Sequence, residues 1–90
     1  QVIRVFIIDD HALVRTGYRL ILEQGGEVEI VGEAATGEEA LARIRKLRPD
    51  VVLCDLHLPG ISGLDVTERL VRSDLGVRVV IVSIQEDGPM

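Results

Sequence analysis

Short apolar runs alternate with longer amphipathic stretches along the whole chain. Four runs have the length and the β-branched content of strands: residues 3–8, 28–31, 51–54 and 77–82. Three of them are almost wholly apolar, which favours strands buried on both faces, whereas Glu29 in the second indicates an edge strand. The order βαβαβαβ predicts an α/β domain built on a parallel sheet with right-handed crossovers.

The first helix is predicted over about residues 11–24, with Asp10 as its N-cap. Gly17 costs a helix roughly 1 kcal/mol relative to Ala, so we expect the helix to approach the sheet closely at this residue. Gly25 and Gly26 end the helix. Helical spacing predicts one buried stripe, formed by Val14, Gly17, Tyr18 and Ile21.

Capping signals begin the other two helices. Thr36 precedes Glu39 by three residues, and Ser62 precedes Asp65 in the same way. Pro49 ends the second helix. The apolar faces predicted to be buried are Ala40, Leu41, Ile44 and Leu47 in the second helix and Val66, Leu70 and Val71 in the third.

Composition is typical of one small domain. Hydrophobic residues make up 47% of the 90 residues but aromatic ones only 2%, so the core must consist of aliphatic side chains. The net charge of −5 disfavours direct binding to nucleic acid. Because the single cysteine cannot form an internal disulfide, and because no membrane span or leader segment is recognised, we expect a cytoplasmic protein.

Polar side chains follow three of the predicted strands. Asp9 and Asp10 follow the first strand, Asp55 the third and Ser83 the fourth. Carboxyl ends of parallel strands share one edge of a sheet, so these residues are expected to converge there. Three carboxylates suit a hard divalent cation such as Mg²⁺, which would offset their repulsion. Asp55 is placed as the nucleophile toward a phosphoryl donor, with the metal and Ser83 stabilising the phosphoryl oxygens.

Each of these residues also has a simpler interpretation. Asp10 taken singly is as readily a helix N-cap as a ligand. His11 is assigned to the first-turn surface of the helix and His57 to a loop beside the site, since no Cys or His spacing supports zinc. Cys54 is interpreted as a small core residue whose pKa the neighbouring Asp55 would raise.

The combined motif resembles the receiver domains of bacterial two-component response regulators. It is carried by the acidic pair at positions 9–10, by Asp55 with Leu58-Pro59-Gly60 after it, and by Ser83. The resemblance covers essentially the whole chain. Residues 10–17, 31–34 and 60–64 are most similar to the NarL/FixJ branch and, within it, to GacA/UvrY-type regulators.

The resemblance implies a flavodoxin-like doubly wound sheet with strand order 2-1-3-4-5. It implies that Asp55 accepts a phosphoryl group from a sensor histidine kinase, and that Ser83 hydrogen-bonds this group and shifts when it arrives. His57 and Gln85 would tune the lifetime of the phosphorylated state. The implied Mg²⁺ ligands are Asp10, Asp55 and the backbone carbonyl of His57, with Asp9 assisting through water.

A complete receiver of this family also carries a fourth helix, a fifth strand ending in a phosphate-contacting Lys, and a fifth helix. The NarL/FixJ branch adds a helix-turn-helix DNA-binding domain, through which the parent protein would control transcription. The 90 residues end before these elements, so we expect a receiver domain truncated after its fourth strand. Apolar surface would then be uncovered, which predicts marginal stability or self-association, for example as a homodimer.

Two other functions stay open at this point. One is a receiver-like interaction or dimerisation module that is not phosphorylated. The other is a phosphohydrolase with an aspartyl-phosphate intermediate, which would need a second Asp where this chain has His57. Dinucleotide binding is not expected, because no Gly-rich fingerprint follows the first strand. The resemblance to receiver domains implies that the chain is not an enzyme.

Overall fold

The computed structural model describes residues 1–83, which form one four-stranded parallel sheet and three helices. The strand order is β2-β1-β3-β4, which confirms the predicted order for these four strands. The loop predicted after Ser83, including Gln85, lies outside the described residues. The elements in chain order are β1 (Ile3–Ile8), α1 (Ala12–Glu23), β2 (Val28–Ala34), α2 (Gly37–Leu47), β3 (Val51–Asp55), α3 (Gly63–Arg72) and β4 (Arg78–Val82).

Helices cover both faces of the sheet, which confirms the doubly wound arrangement. On one face, α2 and α3 enclose the larger cluster, whose buried members are Phe6, Ile8, Ala34, Ala40, Leu41, Ile44, Val52, Cys54, Val66 and Leu70. On the other face, α1 covers a smaller cluster in which Val5, Ile7 and Ile30 are buried and Tyr18 and Leu22 are partly buried. Burial of aliphatic side chains is thus concentrated on the α2–α3 side.

Strand β2 is three residues longer than predicted. Gly32, Glu33 and Ala34 continue it by pairing with the last three residues of β1, after a shift of register between Val5 and Phe6. A Cβ at Gly32 would come within 2.7 Å of the Phe6 ring, so this strand requires a glycine there. Local propensity gave no sign of the extension, because glycine, glutamate and alanine are depleted in strands.

Two residues predicted to be buried are exposed. Ile21 of α1 and Val71 of α3 are each 70% exposed, so both predictions were wrong. In each helix a neighbouring residue occupies the inward position: Leu22 packs against the smaller cluster in α1, and Leu70 is buried in α3. The other assigned inward residues of α2 and α3 lie in the larger cluster or against it.

The helix termini follow the capping signals in α2 and α3 but not in α1. The Thr36 hydroxyl accepts from the Glu39 N–H at 3.2 Å, and Ser62 and Asp65 form a reciprocal capping box. Helix α1 instead has His11 at its N-cap, without a side-chain cap, so the assignment of Asp10 was wrong. The carboxylate of the preceding Asp9 accepts the His11 N–H at 2.9 Å, which fixes the backbone ahead of the helix.

The close approach expected at Gly17 is absent, because a Cβ at this residue would meet no atom within 4 Å. We expect Gly17→Ala to raise the free energy of unfolding by about 0.5–1 kcal/mol, since alanine restricts the unfolded chain and favours the helix. Urea unfolding followed by circular dichroism measures the change. A lower midpoint for the variant would contradict this prediction.

Candidate functional site

The sheet register brings the ends of β1 and β3 side by side. Ile8 pairs with Cys54, so the next residues in the two strands are Asp9 and Asp55. The ladder continues one step further on each side, because the Asp9 N–H donates to the Ala34 carbonyl at 3.1 Å. The Leu56 N–H likewise donates to the carbonyl of β4 at Val82, at 3.0 Å. Backbone pairing therefore fixes the main-chain positions from which the Asp9 and Asp55 side chains extend.

Four side chains meet at this edge of the sheet. One potential ligand atom from each of Asp9, Asp10, His11 and Asp55 lies within 4.8 Å of the others. Asp9 is 4% exposed, Asp55 is half-buried, and the other two are exposed. The expected convergence of the three carboxylates is thus observed, while the roles assigned to them stay predictions.

His11 is the member of this cluster that the sequence interpretation missed. Its Nδ1 lies 3.1 Å from an oxygen of Asp9 and 3.0 Å from an oxygen of Asp10. The hydrogen bond to Asp9 and the charge of Asp10 raise the pKa of His11. The exposure predicted for His11 is correct, but its ring turns back toward the strand end. The available signal was its position, directly after two acidic residues.

The loop after β3 holds Asp55 in the same way that the loop after β1 holds Asp9. The Asp55 Oδ1 accepts the N–H of His57 at 3.0 Å, two residues along, as Asp9 accepts that of His11. The start of α3 closes the loop, because the Gly63 N–H donates to the Leu56 carbonyl at 3.2 Å. A Cβ at Gly63 would collide with the Asp55 carbonyl, so the close approach depends on glycine.

The remaining predicted site residues lie at the periphery. The His57 side chain is exposed, in agreement with its assignment to a loop beside the site. Ser83 is exposed directly beyond β4, and within residues 1–83 it makes no side-chain hydrogen bond to the acidic cluster. Ser83 therefore shares the edge of the sheet with the cluster, without a hydrogen bond to it among the described residues.

Arginine side chains border the buried end of the cluster. The Arg15 Nη1 donates to the backbone carbonyl of Asp9 at 2.6 Å, and its Nε donates to Glu33 at 3.0 Å. Arg19 donates to the second carboxylate oxygen of Glu33 at 2.7 Å. The hydrogen bonds from Arg19 and Arg15 lower the pKa of Glu33. The sequence interpretation gave neither arginine a role at the site.

Cys54 lies in the core immediately before Asp55, as predicted, and is fully buried. Burial first and the Asp55 charge second raise the pKa of its thiol from 9.0 to about 11. We therefore expect iodoacetamide to alkylate the folded chain far more slowly than the urea-unfolded chain at mildly alkaline pH, as mass spectrometry would show. Equal rates for the two states would contradict this burial.

The same shift of the Cys54 pKa makes stability depend on pH. The unfolded thiol ionises near 9.0 and the folded one near 11, so the stability contributed by the neutral thiol is lost as the pH rises across this interval. Cys54→Ala should flatten that part of the curve of unfolding free energy against pH. An equally steep curve for the variant would assign the dependence to other groups.

The donor set of the cluster fits a divalent cation that prefers oxygen. Three carboxylates supply hard ligands, and the exposure of Asp10 leaves room for coordinating water, as Mg²⁺ requires. The imidazole of His11 adds a nitrogen donor at the exposed side. The geometry thus suits a hydrated divalent cation held mainly by carboxylates.

Comparison with known protein families identifies the family of this chain. Residues 5–90 match the response regulator receiver domain family. The chain belongs to this family. The receiver domain is 47% identical to the response regulator GacA of Pseudomonas viridiflava over 97% of its own length and 41% of GacA. It is 41% identical to the response regulator UvrY of Escherichia coli K12 over 98% of its length and 40% of UvrY.

Solved receiver structures share this fold. The signal receiver domain of a Mycobacterium tuberculosis response regulator designated NarL superposes with a TM-score of 0.90 at 36% identity, covering 98% of this chain and 71% of that one. The isolated receiver domain of RcsB from Salmonella enterica, determined with the phosphomimetic BeF₃⁻, gives 0.87 at 27% identity, covering 97% and 65%.

These matches confirm the resemblance to two-component response regulators, including its GacA/UvrY-type character, and the flavodoxin-like fold. The receiver domain spans about two fifths of the length of these curated relatives. None of the helices described for residues 1–83 is long and apolar enough to cross a membrane.

Proposed function

We propose that this receiver domain accepts a phosphoryl group on Asp55 from a sensor histidine kinase, and that it thereby switches a regulator of transcription. The observation that supports this most is the position of Asp55. Its carboxylate lies at the end of a central strand, within 4.8 Å of ligand atoms from Asp9 and Asp10. A carboxylate on a rigid strand beside a candidate cation site is suited to in-line phosphoryl transfer.

In the proposed step, the phosphoryl group moves from a histidine nitrogen of the kinase to an oxygen of Asp55. A carboxylate oxygen of Asp55 attacks the phosphorus of a phosphohistidine, an O–P bond forms, and the P–N bond breaks with its electron pair remaining on the imidazole nitrogen. Asp55 Oδ1 already accepts the His57 N–H at 3.0 Å. Since the described residues donate no hydrogen bond to the other oxygen, we assign the attack to Oδ2.

The carboxylates would hold Mg²⁺ during this reaction. When bound, Mg²⁺ offsets the negative charge of the phosphoryl oxygens and of the carboxylates. We propose Asp10, Asp55 and the backbone carbonyl of His57 as direct ligands. Asp9 is buried and already accepts a backbone hydrogen bond, which supports a role through water.

Ser83 and His57 are proposed to act on the phosphorylated state. Ser83 lies directly beyond β4, and we propose that its hydroxyl donates to the phosphoryl group and shifts toward it. The exposed His57 would influence access of water and so the lifetime of the acyl phosphate. The same role was predicted for Gln85, which lies outside the described residues.

Intact mass spectrometry after incubation with acetyl phosphate and Mg²⁺ tests the proposal. We expect one phosphoryl adduct per chain, and none when EDTA removes the metal. A thermal melt in the same buffers should show a higher midpoint with Mg²⁺ than with EDTA, because ligands that bind only the folded state stabilise it. A folded chain that forms no adduct would instead favour the interaction module, whereas steady hydrolysis of a phosphomonoester would favour the phosphohydrolase.

We infer that residues 1–90 all belong to the receiver domain.

Self-association of this domain remains a prediction. Large apolar side chains are exposed on α1 at Leu13, Leu20 and Ile21. Sedimentation velocity over a range of concentrations measures the association, and a stable monomer at every concentration would contradict it. We also propose that residues 1–90 do not bind nucleic acid directly, because a net charge of −5 disfavours contact with phosphate groups.

A further inference from the structure

Arg15 connects the first helix to the acidic site through the main chain. Its guanidinium lies one helical turn after His11 and points back toward the strand end, as side chains on a helix do. Nη1 donates to the backbone carbonyl of Asp9 at 2.6 Å, and the side chain is only 17% exposed. A charge-assisted hydrogen bond of this kind is among the stronger contacts that can fix a carbonyl group.

The contact completes the fixation of Asp9. Its N–H donates to the Ala34 carbonyl at 3.1 Å, so β2 holds one side of the residue and Arg15 holds the other. The orientation of the peptide group between Asp9 and Asp10 determines the main-chain positions of Asp10 and His11. Displacement of this carbonyl would therefore move two members of the cluster away from Asp55.

Glu33 holds the guanidinium in place. Its Oε1 accepts from the Arg15 Nε at 3.0 Å, while its Oε2 accepts from Arg19 at 2.7 Å. Arg15 thus uses two donors of its planar fork for two partners, which one lysine nitrogen cannot reproduce. Arg19 shares the same carboxylate but donates no hydrogen bond to Asp9 within the described residues, so it offers a matched control.

We infer that Arg15, held by Glu33, is a positioning residue that sets the geometry of the β1–α1 half of the cation site. The inference rests on the proposed function for the part that concerns Mg²⁺. Residues that orient ligands from outside the coordination sphere commonly change metal affinity by roughly 10–100-fold when they are removed. Arg15 would act in this way on Asp9 and Asp10.

Two single variants of equal net charge test the inference. Arg15→Gln removes the hydrogen bond to the Asp9 carbonyl, whereas Arg19→Gln leaves Arg15 and its contact with Glu33 in place. Mg²⁺ titrations followed by backbone amide NMR signals should give roughly tenfold weaker binding for the first variant and nearly unchanged binding for the second. Because each variant loses one positive charge that pairs with Glu33, the change of net charge does not explain a difference between them.

A second measurement needs no metal. The His11 N–H donates to the Asp9 carboxylate, so its hydrogen-exchange rate reports the geometry of the turn. We expect faster exchange in the Arg15 variant only, with similar melting temperatures for the two variants. If Arg15→Gln fails to fold, Arg15→Lys replaces it, and weaker binding with faster exchange is again expected.

The outcomes distinguish failure of the proposed Mg²⁺ site from failure of the positioning role of Arg15. A wild-type chain that does not bind Mg²⁺ would refute the proposed cation site, and exchange at His11 would still decide the role of Arg15. Wild-type Mg²⁺ affinity together with wild-type exchange in a folded Arg15 variant would overturn the inference. Equal losses in Arg15→Gln and Arg19→Gln would also overturn it, because they would assign the effect to the lost positive charge and not to the contact with Asp9.

Discussion

Asp55→Asn is expected to abolish the phosphoryl adduct formed with acetyl phosphate and Mg²⁺. An amide oxygen is a poor nucleophile, so the acceptor chemistry is lost. The substitution preserves the shape of the side chain, and its oxygen can still accept the His57 N–H. The loop after β3 should therefore stay in place, which urea unfolding and amide NMR spectra would verify alongside the intact mass.

Asp10→Asn is the informative control for that result. It removes one carboxylate from the cluster but leaves the proposed nucleophile intact. We expect the adduct to form more slowly, and the rate to recover as the Mg²⁺ concentration is raised. No Mg²⁺ concentration should restore the adduct in Asp55→Asn. An adduct of normal yield in Asp55→Asn would place the phosphoryl group on another residue and refute the assignment.

Gly63→Ala is expected to destabilise the domain by about 1–3 kcal/mol, the usual cost of forcing an extra methyl group into a packed site. The added Cβ would collide with the Asp55 carbonyl and would lie 3.0 Å from the Leu56 Cα. Neither group is a flexible side-chain end, so α3 or the β3–α3 loop must move. Because that loop carries the proposed acceptor, the rate of adduct formation should fall as well.

Gly17→Ala makes the same chemical change in another helix and serves as the control. A Cβ at Gly17 meets no atom within 4 Å, so the two variants should move the unfolding midpoint in opposite directions. Two-state urea curves analysed with a common slope give the comparison. A stabilised Gly63→Ala chain would show that the close approach of α3 to the strand end is not required.

The strands and the convergence of the carboxylates could be predicted because both depend on order along the chain. Apolar runs of strand length identify β1, β3 and β4, and parallel pairing carries their ends to one edge. Asp9 and Asp55 therefore had to be neighbours once the strand order was correct. The capping residues Thr36 and Ser62 were also predictable, because their contacts are local.

Other features depend on packing that local patterns do not specify. In α1 and α3, adjacent apolar residues compete for the inward position, and spacing alone did not exclude Ile21 or Val71. The contact between Arg15 and Glu33 joins residues 18 positions apart, across β2 and α1. Such a pair becomes apparent only when the register of the sheet is known, because both residues are otherwise ordinary surface charges.

The unequal packing of the two faces divides the acidic site between parts of unequal local stability. The Asp55 loop is anchored by α3 over the larger cluster, whereas Asp10 and His11 lie directly before α1, a helix that buries no residue completely. Units with few buried contacts open at low free energy, so α1 should exchange its amide hydrogens before β3 and α3 do. A cation shared by both halves would then slow this partial opening of α1, so that occupancy of the site would be measurable as protection of a single helix.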